Sequence, residues 1–63
     1  MPRYSFGITV RARLYRLRKT QRELAAALGY SPSYVSMILS GTHRSPELRR
    51  LILRQLDQWE QTP

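Results

Sequence analysis

Apolar residues recur at helical spacing in the first third of this chain. Val10, Leu14 and Leu17 follow one another at i, i+4 and i+7, which places their side chains on one face of a helix. The spacing predicts a first helix over residues 9–19, with Thr9 as its N-cap. Arginines occupy its other faces, where a solvated basic surface and a phosphate-binding surface look the same in sequence.

Residues 20–41 have the pattern of two short helices joined by a tight turn. Thr20 suits the N-cap of the first of these helices, and Glu23 three residues later completes a capping box. A narrow apolar stripe then covers roughly two helical turns; it consists of Leu24, Ala25 and Leu28. The small side chain of Ala25 lets two helices approach closely after so short a turn.

The turn and the second helix of this segment are also marked by residue type. Gly29 favours the left-handed conformation that ends a helix. Ser31 can cap the next helix, and Pro32 suits its first position because no amide hydrogen is needed there. The inward face and the end of this helix are assigned to Val35, Ile38 and Gly41.

A longer amphipathic helix is predicted over residues 46–60. Ser45 supplies a cap, Pro46 fits the first helical position, and Glu47 interacts favourably with the helix dipole. One face is apolar at helical spacing and comprises Leu48, Leu51, Ile52, Leu56 and Trp59. Leu53 lies off this stripe. We expect Asp57 to pair with Arg54 three residues before it.

The start of the chain has a period of two instead. Alternate positions there are apolar or aromatic: Tyr4, Phe6, Ile8 and Val10. This alternation predicts an extended arm or a short strand over residues 1–7. In the simplest interpretation, Phe6 and Ile8 pack beneath the domain.

Length and composition limit what this chain can be. Its 63 residues predict a single small domain, and it contains no cysteine for a disulfide or a thiolate metal site. No apolar run is long enough to span a membrane, and no secretory signal is recognisable. We expect a cytoplasmic protein that binds no metal, cofactor or small-molecule ligand.

The charge balance points to an acidic partner. Eleven basic residues, ten of them arginine, stand against four acidic residues, giving a net charge of +7. The arginine guanidinium is well shaped to bind phosphate through two hydrogen bonds. Charge alone does not distinguish nucleic acid from other acidic partners.

The 20–41 segment resembles the helix-turn-helix of the lambda repressor-like and Cro-like regulators, the XRE family. The resemblance rests on residue types at fixed spacing: Gln21, Leu24, Ala25, Leu28, Gly29, Val35, Ile38 and Gly41. It implies an all-α domain of four helices that binds duplex DNA and inserts its second motif helix into the major groove. Lys19 departs from the family pattern, because relatives commonly have an apolar residue there.

The resemblance also implies which side chains face DNA. Six positions of the second motif helix would face base edges: Ser31, Pro32, Ser33, Tyr34, Ser36 and Met37. None is arginine, lysine, asparagine or glutamine, so the strong two-bond contacts to guanine or adenine are absent from this set. We expect modest direct readout, supplemented by water-mediated contacts or DNA shape.

Contacts to the DNA backbone are expected on both sides of that helix. Gln21 resembles the family glutamine that lies against phosphate at a helix N-terminus. The complete set of expected phosphate-binding residues is Arg18, Lys19, Gln21, Arg22, Thr42, His43 and Arg44. For the N-terminal segment, the alternatives to simple packing are an arm whose Arg3 touches DNA and a strand added to a second subunit.

Leu53 and Trp59 add more apolar surface to the last helix than three short helices can cover, which is typical of an interface. Relatives commonly dimerise near this end, so we predict a homodimer through Leu53, Leu56 and Trp59. The alternative is that Trp59 folds back to close the core of the monomer.

Together these observations predict a small DNA-binding transcriptional regulator, more specifically a repressor of phage or bacterial type. One alternative is an antitoxin that holds its toxin through the C-terminal helix. Another is a protein-interaction adaptor that uses the same scaffold. An enzyme is not expected, because the sequence shows no arrangement of nucleophile, acid and base and no glycine-rich phosphate loop.

Overall fold

The computed structural model describes residues 5–61, which form four α-helices and no strand. In chain order these are α1 (Phe6–Leu17), α2 (Gln21–Leu28), α3 (Pro32–Ser40) and α4 (Pro46–Gln61). The all-α fold class is confirmed. The predicted roles of Arg3 and Tyr4 in an N-terminal arm fall outside the described residues.

The first helix begins earlier than predicted, so the strand over its first residues is wrong. Ser5 is the N-cap, and its Oγ accepts a hydrogen bond of 3.1 Å from the N–H of Ile8. Thr9 therefore lies inside the helix instead of capping it. Phe6 packs against the core as expected, but Ile8 is 56% exposed. The period-two pattern wrongly predicted a strand, because Phe6 and Val10 are one helical turn apart in α1 and Ile8 between them is a surface residue.

The helix-turn-helix motif forms as its cap residues predict. Both hydrogen bonds of the capping box between Thr20 and Glu23 are present. Gly29 ends α2 with a φ of 80°, in the left-handed region that glycine adopts without strain. Ser31 caps α3, Pro32 occupies its first turn, and Gly41 follows its last residue.

The core is built from the apolar faces of all four helices. Val10 and Leu14 from α1 pack with the predicted inward residues of the motif. Among the described residues, the buried hydrophobic side chains are those of Val10, Leu14, Leu24, Ala25, Val35, Ile38, Leu39, Leu48, Ile52 and Leu56. Leu17, Leu28, Leu51 and Trp59 are partly buried against this cluster.

The start of α1 lies directly on the end of α3. Gly7 is buried, and a Cβ atom added there would overlap the backbone carbonyl oxygen of Leu39. Glycine is therefore required for close approach of the two helices at this point. The contact fixes the end of α3 against α1.

An ion-pair cluster joins α1 to α4. The guanidinium of Arg13, 17% exposed, lies 2.7 Å from Asp57 Oδ1 and 2.9 Å from Glu60 Oε2. The predicted pairing of Asp57 with Arg54 is wrong, because the carboxylate turns toward α1. The hydrogen bond from Arg13 lowers the pKa of the Glu60 carboxyl, and the hydrogen bonds to Glu60 and Asp57 raise the pKa of Arg13.

None of the helices in the described part of the chain is both long enough and apolar enough to cross a membrane.

Candidate nucleic-acid interface

The face of α3 that points away from the core carries three serines, a proline and a methionine. Val35, Ile38 and Leu39 are buried, so the residues between them are turned outward. The exposed residues of this helix are Pro32, Ser33, Ser36, Met37 and Ser40. The predicted base-reading positions Pro32, Ser33, Ser36 and Met37 are therefore available to a ligand.

The other two predicted base-reading residues already have roles within the protein. Ser31 Oγ accepts a hydrogen bond of 3.1 Å from the N–H of Tyr34, which completes the N-cap. The Tyr34 ring is half-buried between two rings, Tyr30 and His43, each with its centroid 5.4 Å away. Tyr34 therefore fixes the beginning of α3 relative to the flanking loops.

The loop after α3 is hydrogen-bonded to the last turns of the helix. The N–H of His43 and the hydroxyl of Ser40 both donate to the carbonyl of Met37, at 3.2 and 3.1 Å. The hydroxyls of Ser40 and Thr42 are 2.9 Å apart. These bonds hold Thr42 and His43, both predicted phosphate contacts, beside the exposed face of α3.

Basic residues surround a shallow cavity where this loop meets α4. Its volume is about 230 Å³, and its lining includes His43, Arg44, Ser45 and Arg49. Arg49 was not among the predicted contacts, although its guanidinium also lies 4.6 Å from the centre of the Phe6 ring. The sequence signal was its position one turn after the Ser45 cap. The structure adds that Arg49 and Arg44 line the same cavity.

A second cleft lies on the other side of the motif, at the start of α2. It has a volume of about 200 Å³, and Arg11, Tyr15, Lys19 and Gln21 contribute to its walls. Arg11 had no individual predicted role, but α1 places its side chain in the same cleft as Gln21. Arg22 and Arg18 are exposed near this end of the domain.

Lys19 makes a contact within the protein. Its Nζ lies 4.9 Å from the centre of the Trp59 ring, within the range of a cation–π interaction. This contact explains why lysine is compatible with a position that is commonly apolar in the family. The ammonium group thus has a partner in the Trp59 ring.

The predicted dimer residues differ in how much surface they offer. Leu56 is fully buried, so its assignment to a dimer interface is wrong. It packs inside the core of its own chain instead. Leu53 is 39% exposed, and Trp59 is half-buried against the core. Trp59 therefore helps to close the monomer.

No acidic residue occurs in α3 or in the loop that follows it. The sequence has no aspartate or glutamate between Glu23 and Glu47. Glu23 is engaged in the capping box, whereas Asp57 and Glu60 are paired with Arg13. The surface from α3 to the basic loop after it thus has no carboxylate to repel a phosphate backbone. Among the described residues, no cluster of three or more metal-binding side chains occurs.

Comparisons with known proteins agree with this geometry. The family model described as helix-turn-helix matches residues 11–53, which is more than half of the chain. No curated protein and no solved structure matches the chain. Members of this family use such domains for DNA binding in transcriptional regulation. The chain belongs to the helix-turn-helix family of lambda repressor-like and Cro-like DNA-binding proteins.

Proposed function

We propose that this domain is a sequence-specific repressor of bacterial or phage type that inserts α3 into the major groove of duplex DNA. The observation that carries the proposal is the exposed face of α3, which has no carboxylate of its own and adjoins the loop with His43 and Arg44 and the side chain of Arg49. A recognition helix of this kind reads base edges while its surroundings hold the backbone.

In this arrangement Ser33, Ser36 and Met37 meet the bases, and Pro32 meets them at the helix start. Ser31 acts mainly as the N-cap, and Tyr34 mainly as the ring that fixes α3. In this proposal the Tyr34 hydroxyl donates a hydrogen bond to a phosphate of the DNA backbone.

The phosphate backbone is bound on two sides. At the start of α2 the contacts come from Gln21 and Arg22, joined by Arg11 and Arg18. In the loop after α3 they come from Thr42, His43 and Arg44, joined by Arg49. Lys19 contributes through its charge from its position over Trp59. The net charge of +7 accelerates association and makes it strongly dependent on salt.

Two alanine variants test this division of roles. Ser36→Ala should weaken binding to the DNA duplex that the protein prefers by about 1–3 kcal/mol and leave binding to random DNA nearly unchanged. Arg44→Ala should weaken both alike and reduce the log–log salt slope by about one unit. Fluorescence anisotropy at several salt concentrations measures both effects.

The same titration separates this function from the protein-interaction adaptor, whereas co-purification with a stoichiometric partner would favour the antitoxin. A repressor shows a preferred duplex and a salt slope of several units, about −0.9 for each phosphate neutralised. A protein-interaction adaptor shows weak binding that ignores sequence. If no duplex is preferred over random DNA at any salt concentration, the proposed function is wrong.

We also propose that the repressor acts at the bacterial nucleoid as a homodimer, with Leu53 and the exposed part of Trp59 at the contact. A two-fold axis through this contact would present the two α3 helices to half-sites roughly 34 Å apart.

A further inference from the structure

One large apolar side chain stands on the exposed face of α3. Met37 is 41% exposed and follows Ser33 by four residues, so both lie on the same outward line of the helix. Its backbone is held in place because Ser40 and His43 both donate to its carbonyl oxygen. The side chain itself projects from a fixed point of the recognition surface.

The polar groups around Met37 have little power to distinguish one base from another. Residues 24–43 contain no arginine, lysine, asparagine, glutamine, aspartate or glutamate. The hydroxyl of Ser40 donates within the protein, and Ser31 Oγ accepts the N-cap hydrogen bond. Each remaining serine hydroxyl function can accept from or donate to several bases, so it distinguishes them poorly.

We infer that Met37 recognises the C5-methyl group of a pyrimidine in the major groove. This inference rests on the proposed insertion of α3 and identifies the chemical feature that it reads. The methyl group is the apolar feature that thymine presents in that groove. A flexible thioether side chain packs well against such a group.

The inference has a consequence for modified DNA. The Met37 sulfur is only a weak acceptor and forms no strong hydrogen bond to the O4 of thymine or to the amino group of cytosine. Where a cytosine stands at this position, contact with Met37 therefore favours 5-methylcytosine over unmethylated cytosine. Methylation of a cytosine at this position would increase binding.

The test begins with a duplex selected from a random library by the whole chain. Each thymine of that duplex is replaced in turn by deoxyuridine, which removes only the methyl group, and the Kd is measured. At the position read by Met37 the replacement should weaken binding about threefold to fivefold, as expected for one lost methyl contact. At the same position 5-methylcytosine should bind more tightly than cytosine by a similar factor.

Two variants connect the effect to the side chain. Met37→Ala should remove the preference for thymine over deoxyuridine, so that the ratio of the two Kd values approaches one. Ser36→Ala, one residue away, should keep the ratio although it weakens binding overall. Thermal unfolding verifies that both variants are folded.

Each outcome is informative. If no deoxyuridine replacement weakens a tight selected complex, the inference is wrong and the proposed function stands. If Met37→Ala retains the thymine preference, the assignment to Met37 is wrong. If the library yields no preferred duplex, the proposed function itself fails.

Discussion

Gly7 shows how a single hydrogen atom in place of a side chain decides the packing of two helices. The carbonyl oxygen of Leu39 occupies the space that a Cβ atom of residue 7 would need. Neither side of this contact moves easily, because residue 7 belongs to the backbone of α1 and the Leu39 carbonyl belongs to the backbone of α3. Position 7 is therefore restricted to glycine by the neighbouring helix.

We expect Gly7→Ala to lower the free energy of unfolding by about 1–3 kcal/mol, the range for overpacking a close contact. Alanine favours helix by up to about 1 kcal/mol over glycine, so propensity alone predicts the opposite sign. Gly29→Ala is the comparison, since a Cβ there meets no atom and only the φ of 80° is unfavourable. Urea denaturation measures both. A stabilised Gly7→Ala variant would contradict the packing argument.

Arg18 has a backbone conformation that suits glycine better. It is the C-cap of α1 and has a φ of 58°, the one positive φ of a non-glycine residue among those described. We expect Arg18→Gly to raise the free energy of unfolding by about 1 kcal/mol, because the left-handed conformation no longer carries a Cβ.

Arg18→Ala is the matched control, since it removes the charge but keeps the Cβ. The glycine variant should be the more stable of the two in thermal unfolding, and equal stabilities would refute the backbone explanation. If Arg18 also contacts phosphate, both variants should bind DNA more weakly, with the salt slope reduced by about one unit.

At the scale of elements, the ion-pair cluster couples the first helix to the last. Arg13 is largely enclosed and bonds to two carboxylates on successive turns of α4. Because the hydrogen bond from Arg13 lowers the pKa of Glu60, the folded state binds that proton less readily than the unfolded state. The stability that this carboxylate contributes is fully present at a pH above the ordinary glutamate pKa, and it is lost as the pH falls through the lowered pKa of Glu60.

Arg13→Met should destabilise the protein by about 1 kcal/mol at neutral pH, since it keeps most of the packing but leaves two carboxylates without their partner. The difference from the unmodified chain should shrink at an acid pH below the lowered pKa of Glu60, where that carboxylate is protonated. Urea denaturation at the two pH values measures this. An equal difference at both would show that the cluster contributes through packing and not through charge.

At the scale of the whole molecule, large exposed apolar residues lie on α1 and α4 as well as at Met37 on α3. Leu53 is on α4, whereas α1 carries Ile8 and Tyr15, 56% and 85% exposed. If the proposed homodimer forms through α4, Leu53→Asp should shift the protein from dimer to monomer in sedimentation equilibrium.

Ile8→Asp introduces the same charge at an exposed position of α1 and should leave the dimer intact. The opposite result would move the interface to α1. A monomer in the unmodified protein, both free and on DNA, would rule out the homodimer.

Local chemistry was readable in the sequence wherever a residue acts on its own helix. Thr20, Gly29, Ser31 and Ser45 mark helix ends through bonds or torsions within a few residues, so their roles did not depend on the rest of the fold. The outward positions of α3 were implied by the family resemblance, and the structure exposes Pro32, Ser33, Ser36 and Met37. The start of α1 was missed because Ser5 and Thr9 are both good caps, and packing of Gly7 on α3 selects between them.

The sequence by itself therefore determined the four-helix class, the helix-turn-helix and the excess of positive charge, because these depend on periodicity, caps and composition. Tertiary structure alone decided that Leu56 is core, that Asp57 turns to Arg13, and that Arg11 and Arg49 join the basic surface. These outcomes require residues far apart in the chain to meet, and their meeting depends on how the helices pack.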